Sequence, residues 1–194
     1  MTKFILPLLG YLCGSLPFAL WITRWVKGID VRDGGSGHVT TTNTIRQAGW
    51  VWGIMVLVLD IGKGFLPVYA AARVGLPNWA IALTAGLAVA GHCWPIFAQF
   101  RGGMGLAVTC GSYLAVSPLG VAIAFGVLLL LVLIIHHAAR GSFFAALAIP
   151  LALWPLGQRG LILWVAIATG AVIAVRFLDD WKRDYNELWL DRDN

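Results

Sequence analysis

Hydrophobic residues gather in long, nearly uninterrupted segments, and polar residues occupy the short stretches between them. The apolar segments cover residues 4–26, 50–72, 78–98, 104–135, 142–157 and 160–177. A helix needs about 20 such residues to cross a hydrocarbon core about 30 Å thick, and most of these segments come close to that length. The pattern predicts an all-α, polytopic membrane protein in which residues 1–194 form a single domain.

The segment 104–135 is too long for one crossing. As a continuous helix it would extend roughly 48 Å at about 1.5 Å per residue. Ser117 and Pro118 lie near its centre, and the residue before a proline is pushed away from helical geometry. We therefore predict two helices here, which raises the number of spans from six to about seven.

The distribution of positive charge also favours seven spans, because cytoplasmic loops carry an excess of Lys and Arg. With seven spans, ten basic residues fall on one side: Arg24, Lys27, Arg32, Arg46, Arg101, Arg140, Arg176, Lys182, Arg183 and Arg192. Three fall on the other: Lys3, Arg73 and Arg159. With six spans the division is six against seven. We predict a multi-pass protein of the cell (inner) membrane, with the N-terminus outside and the C-terminus in the cytoplasm.

The composition supports a membrane location and argues against nucleic acid as a partner. Hydrophobic residues make up 59% of the chain and charged residues 12%, whereas soluble domains carry roughly 25% charged residues. The formal net charge is +5, but the basic residues are spread over short loops. We therefore expect anionic lipid or a phosphorylated substrate as the partner. Cys13, Cys93 and Cys110 show no metal-ligand spacing, so we expect neither a metal nor another cofactor.

The longest polar stretch, residues 27–49, carries residue types that bind phosphate. Glycines permit positive φ and expose backbone N–H groups to an anion; they are Gly34, Gly35 and Gly37. Thr42 and Asn43 add side-chain donors just before the second span, and Arg46 follows in the first helical turn. A helix start also directs its positive dipole end at the loop. The alternative is an ordinary flexible loop whose threonines only cap the helix.

A second polar cluster, residues 100–105, joins the third and fourth predicted spans. It contains one cation and three glycines: Arg101, Gly102, Gly103 and Gly105. Glycines around a cation allow the backbone to approach a phosphate closely, although glycine is also common where membrane helices pack tightly. We call residues 27–49 the first loop and residues 100–105 the glycine loop. The predicted topology places the two loops on the same side of the membrane. We therefore predict that the two loops contribute to one phosphate site.

Two ionisable groups lie within the second apolar segment, and a histidine lies in the third. Asp60 and Lys63 are spaced i, i+3, so they share a helix face and can pair. Because charges at this depth are costly, Lys63 is either a ligand for substrate charge or half of a structural ion pair. His92 lies roughly two turns before the glycine cluster. His92 is either a base in the site or a hydrogen-bonded residue of the helix packing, which is the commoner role of a lone membrane histidine.

The last residues of the chain show an amphipathic pattern. Apolar residues recur there at helical spacing: Leu178, Trp181, Tyr185, Leu188 and Trp189. Charged residues surround them, as expected for a short helix that lies in the membrane interface. We predict such a helix as a membrane anchor, with contact to substrate as the alternative.

In this order, these residues resemble the bacterial acyl-phosphate:glycerol-3-phosphate acyltransferase family of phospholipid synthesis. Its first motif, approximately R-x-x-x-S-G-N-x-G-A-T-N-x-x-R, is matched by Arg32, Ser36, Gly37, Thr42, Asn43 and Arg46. A D-x-x-K-G motif is matched by Asp60, Lys63 and Gly64. The motif G-H-x-x-P followed by F-[KR]-G-G-K-G is matched by Gly91, His92, Pro95, Phe100, Arg101, Gly102, Gly103 and Gly105. Ser142 matches a serine after the fifth span, and the resemblance extends to about Arg176.

The resemblance implies seven transmembrane helices and a cytoplasmic active site. It also implies that a long-chain acyl phosphate donates its acyl group to sn-glycerol 3-phosphate, giving lysophosphatidic acid and phosphate. The implied catalytic residues are Ser36, Thr42 and Asn43. The implied substrate- and phosphate-binding residues are Arg46, Lys63, His92, Arg101, Gly102, Gly103, Gly105 and Ser142. Membrane lipids are the further expected partners.

Several positions depart from the family motifs. His38 replaces an asparagine, Met104 replaces the lysine of the G-G-K-G motif, and Phe177 and Asp180 replace the histidine and asparagine of an R-H-x-x-N pattern. Losing one hydrogen bond to a charged group costs about 1.5–3 kcal/mol. The alternatives are therefore a relative without this activity, which binds a lipid or a partner or uses another acceptor, and a small transporter.

Overall fold

The computed structural model describes residues 2–183, and every regular element in that range is a helix. The α-helices are α1 (Thr2–Gly14), α2 (Phe18–Lys27), α3 (Thr41–Ala48), α4 (Trp50–Arg73), α5 (Asn78–Cys93), α6 (Leu106–Leu114), α7 (Pro118–Ile135), α8 (Ala138–Leu153) and α9 (Leu161–Leu178). Short 3-10 helices cover Val31–Asp33 and Ile96–Ala98. The all-α prediction is confirmed for the described part of the chain.

Five helical stretches are long and apolar enough to cross a membrane. They are Lys3–Lys27, Trp50–Arg73, Asn78–Ala98, Pro118–Ile135 and Leu161–Leu178. Helix α8 is also apolar but has only 16 residues, and α6 has nine. The chain therefore has the helices of a multi-pass membrane protein.

Prolines interrupt two of the apolar segments. The predicted break in 104–135 is confirmed: α6 ends at Leu114, and Ser117 caps α7 by accepting a hydrogen bond from Gly120 N at 2.9 Å. The first segment is also broken, between Gly14 and Phe18, around Pro17. This second break was not predicted, although the residue before Pro17 is disfavoured in helix for the same reason.

Helix α5 lies at the centre of the bundle and packs against α1, α4, α6 and α9. Its inward face consists of small, fully buried side chains such as Ala85 and Ala88. The close approach of α1 depends on Gly14, where a Cβ atom would collide with the backbone of Ala88. Small residues commonly allow membrane helices to approach in this way. Helix α7 lies at the periphery, since only 6% of its residues are buried.

The polar segments meet at one end of this bundle. The loop before α3, the loop before α6, the start of α8 and the residues after α9 all contribute to one cavity. The predicted amphipathic helix extends beyond this region. Its residues from 184 onward, including Tyr185, Leu188 and Trp189, lie outside the described residues.

Candidate active site

A cavity of about 360 Å³ opens where the polar loops meet. Its polar lining comes from Ser36, His38, Thr40, Thr41, Thr42, Arg46, Asp60, His92, Ser142, Asp180 and Arg183. Its apolar lining comes from Leu57, Met104, Gly105, Leu106, Ala107, Ala138 and Phe177. Leu57 and Leu106 are each 37% exposed at the bundle surface. One side of the cavity is therefore polar, and the other faces outward between α4 and α6.

Three helices begin at this cavity. The first residues of α3, α6 and α8 line it, with Thr41, Leu106 and Ala138 as the starting positions. The first N–H groups of a helix have no partner within the helix, and they carry the positive end of its dipole. Helix α6 has no side-chain cap, because its N-cap residue is Gly105 in the left-handed region. Together these helix starts favour a bound anion.

Asn43 organises the first loop from a fully buried position. Its Nδ2 group donates to three backbone oxygens: Val31 O at 2.7 Å, His38 O at 3.0 Å and Gly34 O at 3.1 Å. Its Oδ1 accepts from Ser36 N at 3.2 Å. Asn43 does not line the cavity, so its geometry is that of a residue that positions Ser36 and the loop.

The glycine loop is held by hydrogen bonds from three directions. Gly102 O accepts from Val39 N at 3.3 Å, and Gly103 N donates to His92 O at 3.0 Å. Gly103 O accepts from Nε of the buried Arg176 at 2.9 Å. A Cβ atom on Gly103 would collide with the imidazole ring of His92 and with Val39 O. The N–H of Gly103 is therefore engaged in the fold, and glycine is needed here for close packing.

Asp60 and Lys63 form the predicted ion pair, with Lys63 Nζ 2.9 Å from Asp60 Oδ1. Both side chains are 3% exposed. Lys63 Nζ also donates to Leu16 O at 2.7 Å, so it occupies the break between α1 and α2. His92 Nδ1 lies 3.8 Å from Asp60 Oδ1. Asp60 and His92 line the cavity, whereas Lys63 lies behind them.

Arg32 connects the first loop to the segment before the glycine loop. Its guanidinium pairs with Asp30 at 2.7 Å and donates from Nη1 to Ala98 O at 3.1 Å. Asp30 also pairs with Arg24 at 2.7 Å. Hydrogen bonding to Arg32 holds the pKa of Asp30 well below its usual range, and the same contact raises the pKa of Arg32. The first and third sequence motifs are thus joined directly.

The residues after α9 form a wall of the cavity, a role that we expected only as the alternative to a membrane anchor. Asp180 and Arg183 both line the cavity. Arg183 Nη2 donates to Ser36 O at 2.7 Å, and Asp180 Oδ1 lies 3.6 Å from His38 Nε2. Sequence reasoning gave Arg183 no site role, because nothing in its local pattern distinguishes it from the other basic residues near the C-terminus.

The structure separates the predicted site residues into two groups. Those that line the cavity are Ser36, Thr42, Arg46, His92, Gly105 and Ser142. Those that do not are Asn43, Lys63, Arg101, Gly102 and Gly103. Four of this second group are buried behind the cavity, whereas the side chain of Arg101 is exposed. The roles of all these residues remain predictions.

Comparison with known proteins gives a consistent family. A family model described as glycerol-3-phosphate acyltransferase matches residues 4–187. The chain is 43% identical over 146 residues to a glycerol-3-phosphate acyltransferase of Thermotoga petrophila, covering 75% of this chain and 74% of the relative. It is 33% identical over 184 residues to the enzyme of that name from Parasynechococcus marenigrum, covering 94% and 86%.

Two solved structures have the same fold. Both are crystal structures of PlsY (YgiH), an integral membrane glycerol 3-phosphate acyltransferase. The glycerol 3-phosphate form superposes with a TM-score of 0.80 at 34% identity and covers 93% of this chain and 90% of that chain. The lysophosphatidic acid form gives a TM-score of 0.78 at 31% identity, with the same coverage.

The family predicted from the motifs is therefore confirmed, and with it an integral membrane fold and an acyltransferase activity. The departures at the cavity wall occur within an otherwise intact family fold. This chain belongs to the glycerol-3-phosphate acyltransferase family.

Proposed function

We propose that this chain transfers an acyl group from a long-chain acyl phosphate to the 1-hydroxyl of sn-glycerol 3-phosphate. The products are lysophosphatidic acid and inorganic phosphate, and residues 1–194 act as one membrane-embedded acyltransferase domain. Crystals of the related PlsY in glycerol 3-phosphate and lysophosphatidic acid forms support this acceptor and this product. The observation that carries the proposal is the convergence of three helix starts and Arg46 on one cavity.

The residues that line the cavity take the direct roles in this proposal. Arg46, Gly105 and the N–H groups that begin α3 and α6 bind phosphate, since helix starts attract anions. Ser36, Thr42 and Ser142 provide hydroxyls that orient the acceptor and the acyl carbonyl, while His92 contributes at the deep end beside Asp60. These groups surround the same space, so they can contact one bound substrate together.

The residues behind the cavity act on the substrates through their neighbours. Asn43 fixes the first loop through its contacts with backbone oxygens. Lys63 neutralises Asp60 and closes the helix break at Leu16. Gly102 and Gly103 allow the glycine loop to lie against His92 and Val39. The exposed Arg101 stays a predicted phosphate ligand.

The chemistry requires positioning and charge neutralisation more than a protein nucleophile. An acyl phosphate is already activated, so the acceptor hydroxyl oxygen attacks the acyl carbon and the ester bond forms. The bond between the acyl carbon and the phosphate oxygen breaks, and the hydroxyl proton leaves on the inorganic phosphate. Holding the two reactants together lowers the entropic cost of this step. Fixed donors around the developing negative charge stabilise the transition state. The acyl chain would leave the cavity between Leu57 and Leu106, which face outward between α4 and α6.

We also propose seven crossings of the inner membrane, with the cavity on the cytoplasmic face and the N-terminus outside. Cysteine labelling in a background without the native cysteines tests this topology. Cysteines are placed at Gly75, which follows α4, and at Gly157, which precedes α9. Both react with the reagent from the outside if there are seven crossings. With six crossings Gly157 would react from the inside, whereas Gly75 would still react from the outside and serves as the control.

The proposed reaction is tested with purified protein in lipid bilayers. Supplying palmitoyl phosphate and labelled glycerol 3-phosphate should yield labelled lysophosphatidate and inorganic phosphate in equal amounts. Arg46→Gln should lower kcat/KM by about tenfold to hundredfold, because one hydrogen bond to a charged group is lost. Lys27→Gln, which removes an exposed cation outside the cavity, is the matched control. Absence of both products from the unaltered protein would reject the proposal.

A further inference from the structure

Arg183 is a cation in the cavity to which the proposed reaction gives no role. Of the described residues that line the cavity, Arg46 and Arg183 carry a permanent positive charge. A phosphate monoester brings a charge of about −1.5 to −2 near pH 7, and the proposed reaction uses two phosphorylated substrates. Position 104 also lines the cavity, but methionine there adds no charge. Arg183 is therefore the second permanent positive charge that the described lining offers to two substrate phosphates.

The guanidinium of Arg183 is held in a defined orientation. Nη2 donates to Ser36 O at 2.7 Å. Nη1 lies 3.2 Å from His38 Nδ1 and 3.2 Å from Asp180 Oδ2. Because arginine only donates, His38 Nδ1 is the acceptor and the ring proton lies on Nε2. Nε2 faces Asp180 Oδ1 at 3.6 Å, so the three side chains form a closed ring.

The segment that carries Arg183 is also fixed from the side of α8. Trp181 O accepts a hydrogen bond from Arg140 Nε at 3.2 Å. The Arg140 guanidinium lies 5.7 Å from the centre of the Trp181 ring, and the Phe143 ring contacts the same indole edge-on with centroids 5.3 Å apart. The backbone on one side of Arg183 is thus anchored to α8, while its side chain is anchored to the first loop.

Three of the departures from the family motifs meet in this arrangement. His38 and Asp180 both contact Arg183, and Met104 lines the same cavity. We infer that Arg183, oriented by His38 and Asp180, binds a substrate phosphate and supplies the positive charge that position 104 lacks. This inference rests on the proposed function in so far as phosphorylated substrates occupy the cavity.

Arginine suits this role because of its shape. Its planar group presents several N–H donors in a fixed fork, which matches the oxygens of a phosphate. Asp180 takes up part of the positive charge, so the remaining charge of Arg183 acts together with its directed hydrogen bonds. The phosphate can belong to glycerol 3-phosphate or to the acyl phosphate, and the two sources are distinguished by measuring KM for each substrate separately.

The test compares three variants by steady-state kinetics. Arg183→Gln should raise KM for one of the two substrates by about tenfold to hundredfold, with a smaller change in kcat. Lys182→Gln removes the neighbouring exposed cation, which does not line the cavity, and should change KM by less than about twofold. The double variant Arg183→Gln/Met104→Lys should recover most of the lost affinity, because the cation returns to the cavity from another position.

A binding measurement separates this inference from the proposed reaction. Inorganic phosphate and glycerol 3-phosphate should each raise the Tm of the unaltered protein. Arg183→Gln should require about tenfold to hundredfold more inorganic phosphate for the same shift, and the double variant should restore the original dependence. This pattern in a protein without acyl transfer would support the phosphate site and reject the proposed reaction. Normal turnover with unchanged KM and Tm shift in Arg183→Gln, or failure of Met104→Lys to restore binding, would overturn the inference.

Discussion

Replacing Asn43 by aspartate tests whether a residue outside the cavity controls its geometry. The change keeps the shape of the side chain but replaces the Nδ2 donors with an oxygen that only accepts. That oxygen would face the carbonyls of Val31, Gly34 and His38, which now accept from Nδ2 at 2.7 to 3.1 Å. All three attractive contacts would become repulsive.

The magnitude follows from the contacts that remain. Val31 O and Gly34 O keep a second donor in Gln47 Nε2, at 2.7 and 3.0 Å. His38 O keeps Thr40 N at 3.0 Å. No carbonyl is therefore orphaned. The Nδ2 group has two N–H donors shared among the three oxygens, so the cost is at least that of two lost hydrogen bonds, about 0.5–1.5 kcal/mol each. The sum is about 1–3 kcal/mol, which corresponds to roughly a fivefold to hundredfold loss of the ordered loop.

We expect Asn43→Asp to lower kcat/KM for acyl transfer by this factor while the helical content stays unchanged. The assay is product formation in lipid bilayers, with far-UV circular dichroism as the measure of helix. Asn78→Asp makes the same chemical change at an exposed position that begins α5, and it should retain full activity. Activity of Asn43→Asp within about twofold of the unaltered protein would refute the reasoning, because that change corresponds to less than one lost hydrogen bond.

Three further changes test other parts of the site. Lys63→Met leaves Asp60 buried without its partner and should lower the free energy of unfolding by about 3–5 kcal/mol; equal stability would exclude a structural role for the pair. Gly103→Ala forces a Cβ atom into the imidazole ring of His92 and should reduce turnover by about tenfold or more, with full turnover counting against a fixed glycine loop. Asp30 has a lowered pKa, so its contribution to stability is present above about pH 4 and is lost as the pH falls. Asp30→Asn should therefore lower Tm more at pH 7 than at pH 3, and a Tm difference that grows as the pH falls from 7 to 3 would contradict this sign.

Local signals in the sequence predicted the helices well. The break in 104–135 followed from Ser117 and Pro118, and α6 and α7 separate there. The break at Pro17 carries the same signal, but the apolar segment around it has the length of one span, so nothing demanded a second helix. The effect of proline on the backbone is local, but a helix breaks within a span only where the exposed carbonyl, here Leu16 O, finds a hydrogen-bond donor. That donor, Lys63 Nζ, lies 47 positions away.

The site was predictable in its residue types but not in its arrangement. Spacing on one helix face predicted the pairing of Asp60 and Lys63, and it is confirmed. No sequence pattern distinguishes Asn43, which faces the loop backbone, from Thr42, which lines the cavity. The contact between Arg183 and Ser36 joins residues 147 positions apart. Such contacts are set by helix packing across the bundle, which a single sequence does not encode in any local pattern.

The proposed reaction requires that the first loop and the glycine loop share one cytoplasmic cavity that binds phosphorylated substrates. Cysteines at Thr41 and Met104, which line the cavity from these two loops, test this directly in a background without the native cysteines. Both should react with a membrane-impermeant thiol reagent from the cytoplasmic side only, and glycerol 3-phosphate should slow both reactions with the same concentration dependence. Reaction from opposite sides of the bilayer, or protection of only one position, would contradict a shared cytoplasmic cavity.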